Sequence, residues 1–551
     1  MMETMRRLVH FVLFLAGCTT ILSSSAEQRP IAQGTDLLSS KEHDALNTDL
    51  ATYVDGARKQ FSVPGIAIVV VKDGRVVFEQ GSGERNLNDG KPVDVHTMFC
   101  IASNTKSFTA TAIEILADQG KLKLEDRVVD HLPWFRMADP YATREMRIRD
   151  ILAHRKGLGS HAGDLLFVPA STYSTREVVE RLRDLPLATG FRSTFAYENI
   201  MYAVATLIIE QVSGESYADF IREHIFVPIG MTESRIDSTY LTPSDDVATA
   251  YTPQENGRLM PIPPLAWKNN QGAAGIYSSV EDMAKWVEVQ LASGRLPEDR
   301  NGGTHRLFSA ASQQRMWSMI TPIDIEPASV PQLQAAQPNF LGYAEGWYLS
   351  DYRGQRTVWH GGGFPGTVSL VTLVPSLHLG IVVLTNQQSE EVLNAITFHI
   401  LDTCMGAPET NWIEAYAASA KLDAARKAEE SAKQTAERLS DARPSHALAS
   451  YAGTYRDRWY GDILVWRDGG ELRMRFTKSP RLVGSLSPWR KDRFLVRWDD
   501  QTLDADALID FTADRRGWIS GASMRRASPR TAHAYDYQDL HLVLERPGTA
   551  N

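Results

Sequence analysis

The chain has 551 residues, enough for two to four domains at roughly 150 residues each, with 58 basic and 67 acidic side chains and a formal charge of −9. Its 43% hydrophobic and 23% charged residues are those of a soluble globular protein and exclude a disordered, coiled-coil or collagen-like chain. The modest acidic surplus argues against nucleic acid as a partner, since phosphate binding needs a basic surface. Three cysteines cannot build a disulfide framework or a multi-cysteine metal site.

Arg6 and Arg7 precede an apolar run from Leu8 to Ala16, which reads as an export signal too short to span a bilayer. Leu15-Ala16-Gly17-Cys18 resembles the lipobox of bacterial lipoproteins, in which residues 1–17 are removed and Cys18 is lipidated. Cleavage after Ser24-Ser25-Ala26 is the alternative, and either one exports the protein. The expected location is the periplasm, with an outer-membrane anchor if Cys18 carries lipid. No later segment is apolar for long enough to form a membrane helix.

Ile66–Val71, the turn Lys72-Asp73-Gly74-Arg75 and Val76–Phe78 predict a β-hairpin. A helix should begin near Ser103, where Phe108, Ala112, Ile115 and Leu116 form an apolar stripe, and helical patterns recur at 143–154, 176–184, 199–213 and 279–292. A second hairpin joins Val368–Leu373 to Ile381–Leu384. Strands at both ends with helices between them predict one mixed α+β domain, closed by pairing of early and late strands. The Pro-, Gln- and Ala-rich stretch 322–340 reads as a surface loop. Residues 413–441 have no Gly or Pro and predict a long exposed helix, a semi-rigid spacer. Beyond Pro444, short alternating strands separated by turns such as Asp468-Gly469-Gly470 predict an antiparallel sheet or barrel of about 100 residues. Five tryptophans, Trp459, Trp466, Trp489, Trp498 and Trp518, fall there and read as its core. No serine, lysine and tyrosine set recurs in this part, so no catalytic role is expected of it.

Among fifteen lysines, Lys106 is the one with a serine three positions before it, in Ser103-Asn104-Thr105-Lys106. Residues three apart share a helix face, so the hydroxyl and the amine can meet. Burial lowers a lysine pKa, and its neutral amine could take the serine proton. Tyr197-Glu198-Asn199 is the one Tyr-x-Asn among eighteen tyrosines. A phenol near a cationic lysine has a lowered pKa and can act as general base, although taken alone Tyr197 is more simply a half-buried surface tyrosine. The Asn199 amide could hold Lys106 or a substrate carbonyl. In His360-Gly361-Gly362-Gly363, glycines let a substrate backbone lie close to the strand, with His360 as a polar wall. His161-Ala162-Gly163 and His378-Leu379-Gly380 also fit His-x-Gly and read as a loop residue and a turn residue.

Together the three boxes resemble the serine β-lactamase-like, penicillin-recognising superfamily, in its branch of class C β-lactamases, D,D-peptidases, D-aminopeptidases and esterases. Supporting matches are Ile148–His154 with Gly157-Leu158, Phe226–Met231 and Ala273–Ser278. The resemblance covers roughly residues 45–405, leaving 406–445 as a helical linker and 446–548 as a part that looks like the lipocalin-like accessory barrel of some of these hydrolases. It implies a β-lactamase-like/transpeptidase fold, an antiparallel sheet flanked by helices with an all-helical region, followed by a small antiparallel barrel. It further implies Ser103 as nucleophile, Lys106 and Tyr197 as proton-transfer groups, Asn199, His360, Gly362 and Gly363 as substrate-binding residues, and the N–H groups of Ser103 and Gly363 as the oxyanion hole. No cofactor or metal is expected. The third box departs from the lactamase Lys-Thr-Gly, and a histidine there is more like D,D-peptidases and D-aminopeptidases.

The expectation is therefore an exported serine hydrolase that acylates itself on peptide, D-amino-acid amide or ester substrates. A β-lactamase or penicillin-binding protein is the alternative, and an exported ligand-binding or sensor protein the non-enzymatic one. His360-Gly361-Gly362-Gly363 also copies the oxyanion loop of α/β-hydrolases, but the Gly-x-Ser-x-Gly elbow that fold needs is absent from the chain. A zinc hydrolase lacks its His-Glu-x-x-His. Cys100 and Cys404 could pair in an oxidising compartment, which their spacing does not decide.

Overall fold

The strand Gly65–Lys72 is buried along nearly its whole length, and its alternation separates two cores. Ile66, Ile68 and Val70 pack with Val54 and Ala57 of the helix Ser40–Gln60 and with Val392 and Ile396 of the helix Glu390–Met405. Ala67, Val69 and Val71 face the other way, toward Ile113 and Val287. A strand covered on both faces reads as a continuous apolar run, which is why Ile66–Val71 shows no polar alternation. The computed structural model describes residues 40–253, 257–264, 266–297, 305–438, 443–529, 531–532 and 534–547. Arg6, Arg7 and the lipobox with Cys18 lie outside these residues.

Gly65–Lys72 turns back as Arg75–Asn86, and Thr367–Val374 turns back as Leu379–Thr385. The two hairpins pair antiparallel with Val69 opposite Val382, so early and late strands close one domain. Among the described residues the sheet has nine antiparallel strands, running from Lys91–Pro92 through these hairpins to Gln355–Phe364, Tyr348–Tyr352, Leu341–Tyr343 and Thr321–Pro322.

The helix Thr105–Asp118 is buried on every side from Thr105 to Leu116, as expected of a helix enclosed by sheet and neighbouring helices. Its Phe108 stacks on Trp286 of the helix Val280–Leu291 at 3.8 Å and meets Phe226 edge-on at 5.9 Å. The pattern at 143–154 forms two short helices, Pro140–Glu145 and Ile148–Leu152. Met146 turns extended between them, and the Asp150 carboxylate accepts from the Arg147 N–H to start the second. Within 322–340 a 3₁₀ turn at Pro331–Ala336 lowers Leu333 into the second core.

The long helix is Trp412–Ala436. Its first turn is not exposed: Trp412 is fully buried, and its indole donates to Asp402 at 2.9 Å. Beyond it, eight strands from Gly453–Asp457 to His541–Pro547 form a closed antiparallel barrel. Tyr455 opposite Leu544 closes the ring. Aromatic residues fill the interior, although they are mostly Tyr and Phe, among them Tyr455, Phe476, Phe494, Phe511 and Tyr537. Of the five tryptophans only Trp459 and Trp498 join this core; Trp489 is buried outside it, Trp466 is half-buried and Trp518 is 71% exposed.

From Asp49 onward the chain is one unit, and the core of the sheet domain runs into that of the barrel without a break. Tyr173 donates to the Tyr460 carbonyl across this junction, and the Thr172 N–H donates to the Lys478 carbonyl at 2.7 Å. Cys100, buried, and Cys404, exposed, are both free thiols, so they do not pair. Among the described residues no helix is long and apolar enough to cross a membrane.

Candidate active site

Ser103 sits in a 3₁₀ turn, Ala102–Asn104, that leads into the buried helix two residues later than the apolar stripe suggested. The turn is clamped from the sheet. Ser369 donates to the Ile101 carbonyl at 2.7 Å and accepts from the Asn104 amide at 2.8 Å. Gly362, opposite Ser369 on the neighbouring strand, lies so close that a Cβ there would sit 2.1 Å from the Ile101 oxygen. A side chain cannot fit between strand and turn, so this glycine is required by packing. Gly363 is exposed with open space around its Cα, and Ser103 is half-buried, so the site reaches the surface here.

Lys106 is fully buried, and its Nζ has three partners: Ser103 Oγ at 3.0 Å, Asn199 Oδ1 at 2.7 Å and the Ala273 carbonyl at 2.9 Å. The last two are pure acceptors. Burial holds the Lys106 pKa well below the usual lysine range, with the Lys156 charge pushing the same way and the Asp164 charge opposing both. Asn199 stands just before the helix Ile200–Ser213 with its side chain free of any capping bond, and its Nδ2 donates to Asp164 Oδ2 at 2.9 Å, so a carboxylate fixes which end of the amide faces the lysine.

Tyr197 is half-buried, with its ring 4.9 Å from Lys106 Nζ. The lysine does not lower its pKa as the sequence suggested. Burial pushes the phenol well above 10, the field of Tyr348 adds to this, and a hydrogen bond with Ser103 only partly opposes it. Burial of the phenol itself outweighs any pull from the neighbouring amine. His360 lies on the strand Gln355–Phe364, buried, with Nε2 2.9 Å from the Tyr343 hydroxyl and Nδ1 2.7 Å from the Gly361 carbonyl. Burial, together with Lys106, lowers its pKa to about 3, so it is a neutral wall. His378 ends a 3₁₀ turn far down the chain, as its pattern suggested.

Ser103, Lys106, Tyr197 and Asn199 thus meet at one point, with Gly362 and the His360 strand against it. Residues 50–403 match the family model described as Beta-lactamase. The chain belongs to the beta-lactamase family of serine hydrolases. Residues 437–543 match a Domain of unknown function (DUF3471). Relatives include an unguisins hydrolase of Aspergillus campestris, 28% identical over 506 residues that cover 85% of this chain and 86% of that protein. Protein flp of Staphylococcus aureus is 28% identical over 62% of this chain and 63% of its own. Among solved structures, the octameric penicillin-binding protein homologue of Pyrococcus abyssi shares the fold over 90% of this chain and 99% of its own, at TM-score 0.57 and 21% identity. The D-amino acid amidase of Ochrobactrum anthropi does so over 64% of this chain and 99% of its own, at TM-score 0.51 and 20% identity.

Several groups at this beta-lactamase-family site escaped sequence reasoning. His161 is not a plain loop residue: its Nδ1 lies 3.0 Å from Asp164 Oδ2 and its ring 5.8 Å from Tyr197. Burial disfavours its charged form, but the hydrogen bond and charge of Asp164 outweigh burial and raise its pKa. Behind Tyr197, Lys156 and Glu198 form an ion pair with no exposed surface on either side chain. His154 packs on the Tyr197 ring at 4.4 Å and accepts from the Glu198 N–H at 3.2 Å. Glu198 was visible as the middle of Tyr-x-Asn, and the lysine two residues after His154 was the signal that could have found its partner. The Ala273 carbonyl gives a purpose to the Ala273–Ser278 match.

Proposed function

We propose that the protein is an exported serine hydrolase that forms an acyl-enzyme through Ser103 on amide, peptide or ester substrates. One observation carries this reading: the buried Lys106 amine between two pure acceptors and the Ser103 hydroxyl. A neutral amine has two N–H donors and one lone pair. Asn199 Oδ1 and the Ala273 carbonyl take the two donors, which leaves the lone pair for the Ser103 O–H. Lys106 then accepts the hydroxyl proton while Oγ bonds to the substrate carbonyl carbon, whose oxygen gathers charge beside the N–H groups of Ser103 and Gly363. Collapse breaks the carbon–nitrogen or carbon–oxygen bond, and Tyr197, protonated at neutral pH, gives the departing group its proton and recovers one from Lys106. Water repeats the cycle on the ester and frees Ser103.

His360 offers no positive charge to a substrate carboxylate, which favours amides and esters over penicillins. The names of similar proteins point the same way, an unguisins hydrolase among relatives and a D-amino acid amidase among structures. The Arg6-Arg7 segment and Cys18 support export, with lipidation the proposed anchor. A fluorophosphonate probe should label the peptide holding Ser103, and Ser103→Ala should abolish this. Turnover of p-nitrophenyl esters and D-amino-acid p-nitroanilides should exceed that of nitrocefin. Labelling that survives Ser103→Ala, or turnover of nitrocefin alone, refutes the reading.

A further inference from the structure

The barrel reaches the turn that carries Asp164 through the side chain of Asp536. Asp536 is fully buried, and its two carboxylate oxygens accept from the Gly163 N–H at 2.6 Å and the Leu165 N–H at 3.1 Å. Those amides flank Asp164. Gly163 has φ near +85°, and a Cβ there would meet Leu185 and Ile200 at about 3 Å, so the turn is tightly packed at this point and favours glycine. Asp164, also fully buried, holds the Asn199 amide and the His161 ring with Oδ2, while its Oδ1 has no hydrogen-bond partner. Nothing on its own side chain therefore fixes its position from behind; the backbone on either side does.

We propose that Asp536 is a positioning residue for the hydrolysis. The barrel carboxylate holds the 163–165 turn, the turn sets Asp164, Asp164 sets which end of the Asn199 amide faces Lys106, and Lys106 aims its lone pair at Ser103. A swung Asn199 would present an N–H₂ to an amine that needs an acceptor, and the lone pair would lose its direction. Burial pushes the Asp536 carboxyl well up, and the Asp164 charge adds to this, while the two amides work against it. Two carboxylates so close are tolerated because one is met by backbone donors and the other by an amide and an imidazole. The barrel is thus part of the catalytic apparatus rather than an appendage.

This rests on Ser103 being the nucleophile, so the test has one readout through Ser103 and one independent of it. In the full chain, Asp536→Asn keeps the shape but sets an N–H₂ against one of two N–H donors. It should slow fluorophosphonate labelling of Ser103 about 10-fold or more. It should also lower the titration midpoint of His161, read by NMR of ¹³C-labelled histidine and assigned by its loss in His161→Gln. Tyr173→Phe cuts a different bond across the same junction and should change neither. If Asp536→Asn does not fold, Asp536→Glu, which keeps both oxygens one methylene out of place, should give the same two shifts. Wild-type labelling with an unmoved His161 overturns the proposal, as does a change in only one of the readouts, or equal slowing by Tyr173→Phe, which would mean docking alone matters. Should Ser103 prove not to be the labelled residue, the acyl-enzyme reading falls while His161 still reports whether Asp536 sets Asp164.

Discussion

Lys156 and Glu198 form a buried ion pair. Both side chains have zero exposure, and the pair lies directly behind Tyr197 and His154. Breaking a buried pair by deleting one partner costs about 3–5 kcal/mol, because the survivor is left uncompensated. Lys156→Met strands Glu198. Its carboxyl is already pushed up from 4.5 to about 7, chiefly by burial and despite the Lys156 charge. A carboxyl raised in the folded state holds a proton that the unfolded chain has released, so stability falls as pH rises from 4.5 to 7. At about 1.4 kcal/mol per unit this window is worth roughly 3 kcal/mol. Without the lysine the carboxyl rises further and the fall continues past pH 7. Because the stranded carboxyl can take up a proton, the deficit of Lys156→Met should be small at pH 5.5 and grow to about 2 kcal/mol by pH 8.5, read as a lower urea midpoint with unchanged slope. Glu198→Gln should cost a similar amount at pH 8.5, and Lys156→Met with Glu198→Leu should lie within about 1 kcal/mol of wild type or above it. Single deficits under about 1 kcal/mol, or a double deficit equal to their sum, would refute the uncompensated-charge argument.

Lys106→Ala and Tyr197→Phe should each slow acylation by about 100-fold or more, and the double variant should be far less than multiplicatively worse, since one proton path passes through both; multiplicative losses in single-turnover rates would separate them. Because the Lys156 charge depresses Lys106, Lys156→Met should raise the Lys106 pKa and move the rising limb of the acylation pH profile to higher pH. Stopped-flow labelling across pH 5–10 reads this, and an unmoved limb contradicts it. Gly362→Ala drives a methyl into the Ile101 carbonyl and should cost about 1–3 kcal/mol of stability together with most labelling. Gly363→Ala meets open space and should keep the melting temperature while labelling by bulky probes slows; equal melting losses for both would mean the strand does not press on the nucleophile turn.

How far the site can be read without coordinates depends on how local each contact is. Ser103 and Lys106 are three residues apart on one turn, and helix geometry alone brings them together. The hairpins at 65–86 and 367–385 were legible because apolar runs meet turn residues there, and their mutual pairing followed from the need to bury both faces. The direction of the Tyr197 shift was not legible, because it depends on how far the phenol is buried, and that is decided by elements far along the chain, Tyr348 among them. Asp164 was not legible at all, since no local pattern marks a carboxylate that holds an amide 35 residues away. Asp536 is the extreme case, 373 residues from the amide it holds and in a part lacking every catalytic motif. The same physics explains why it acts there. A backbone N–H flanking a buried turn must find an acceptor, and once the barrel docks, the acceptor that satisfies the turn also sets the residue between the two amides. A packing requirement at the domain junction thus becomes a positional requirement at Ser103, so one buried aspartate of the barrel can govern chemistry carried out by groups of the other domain.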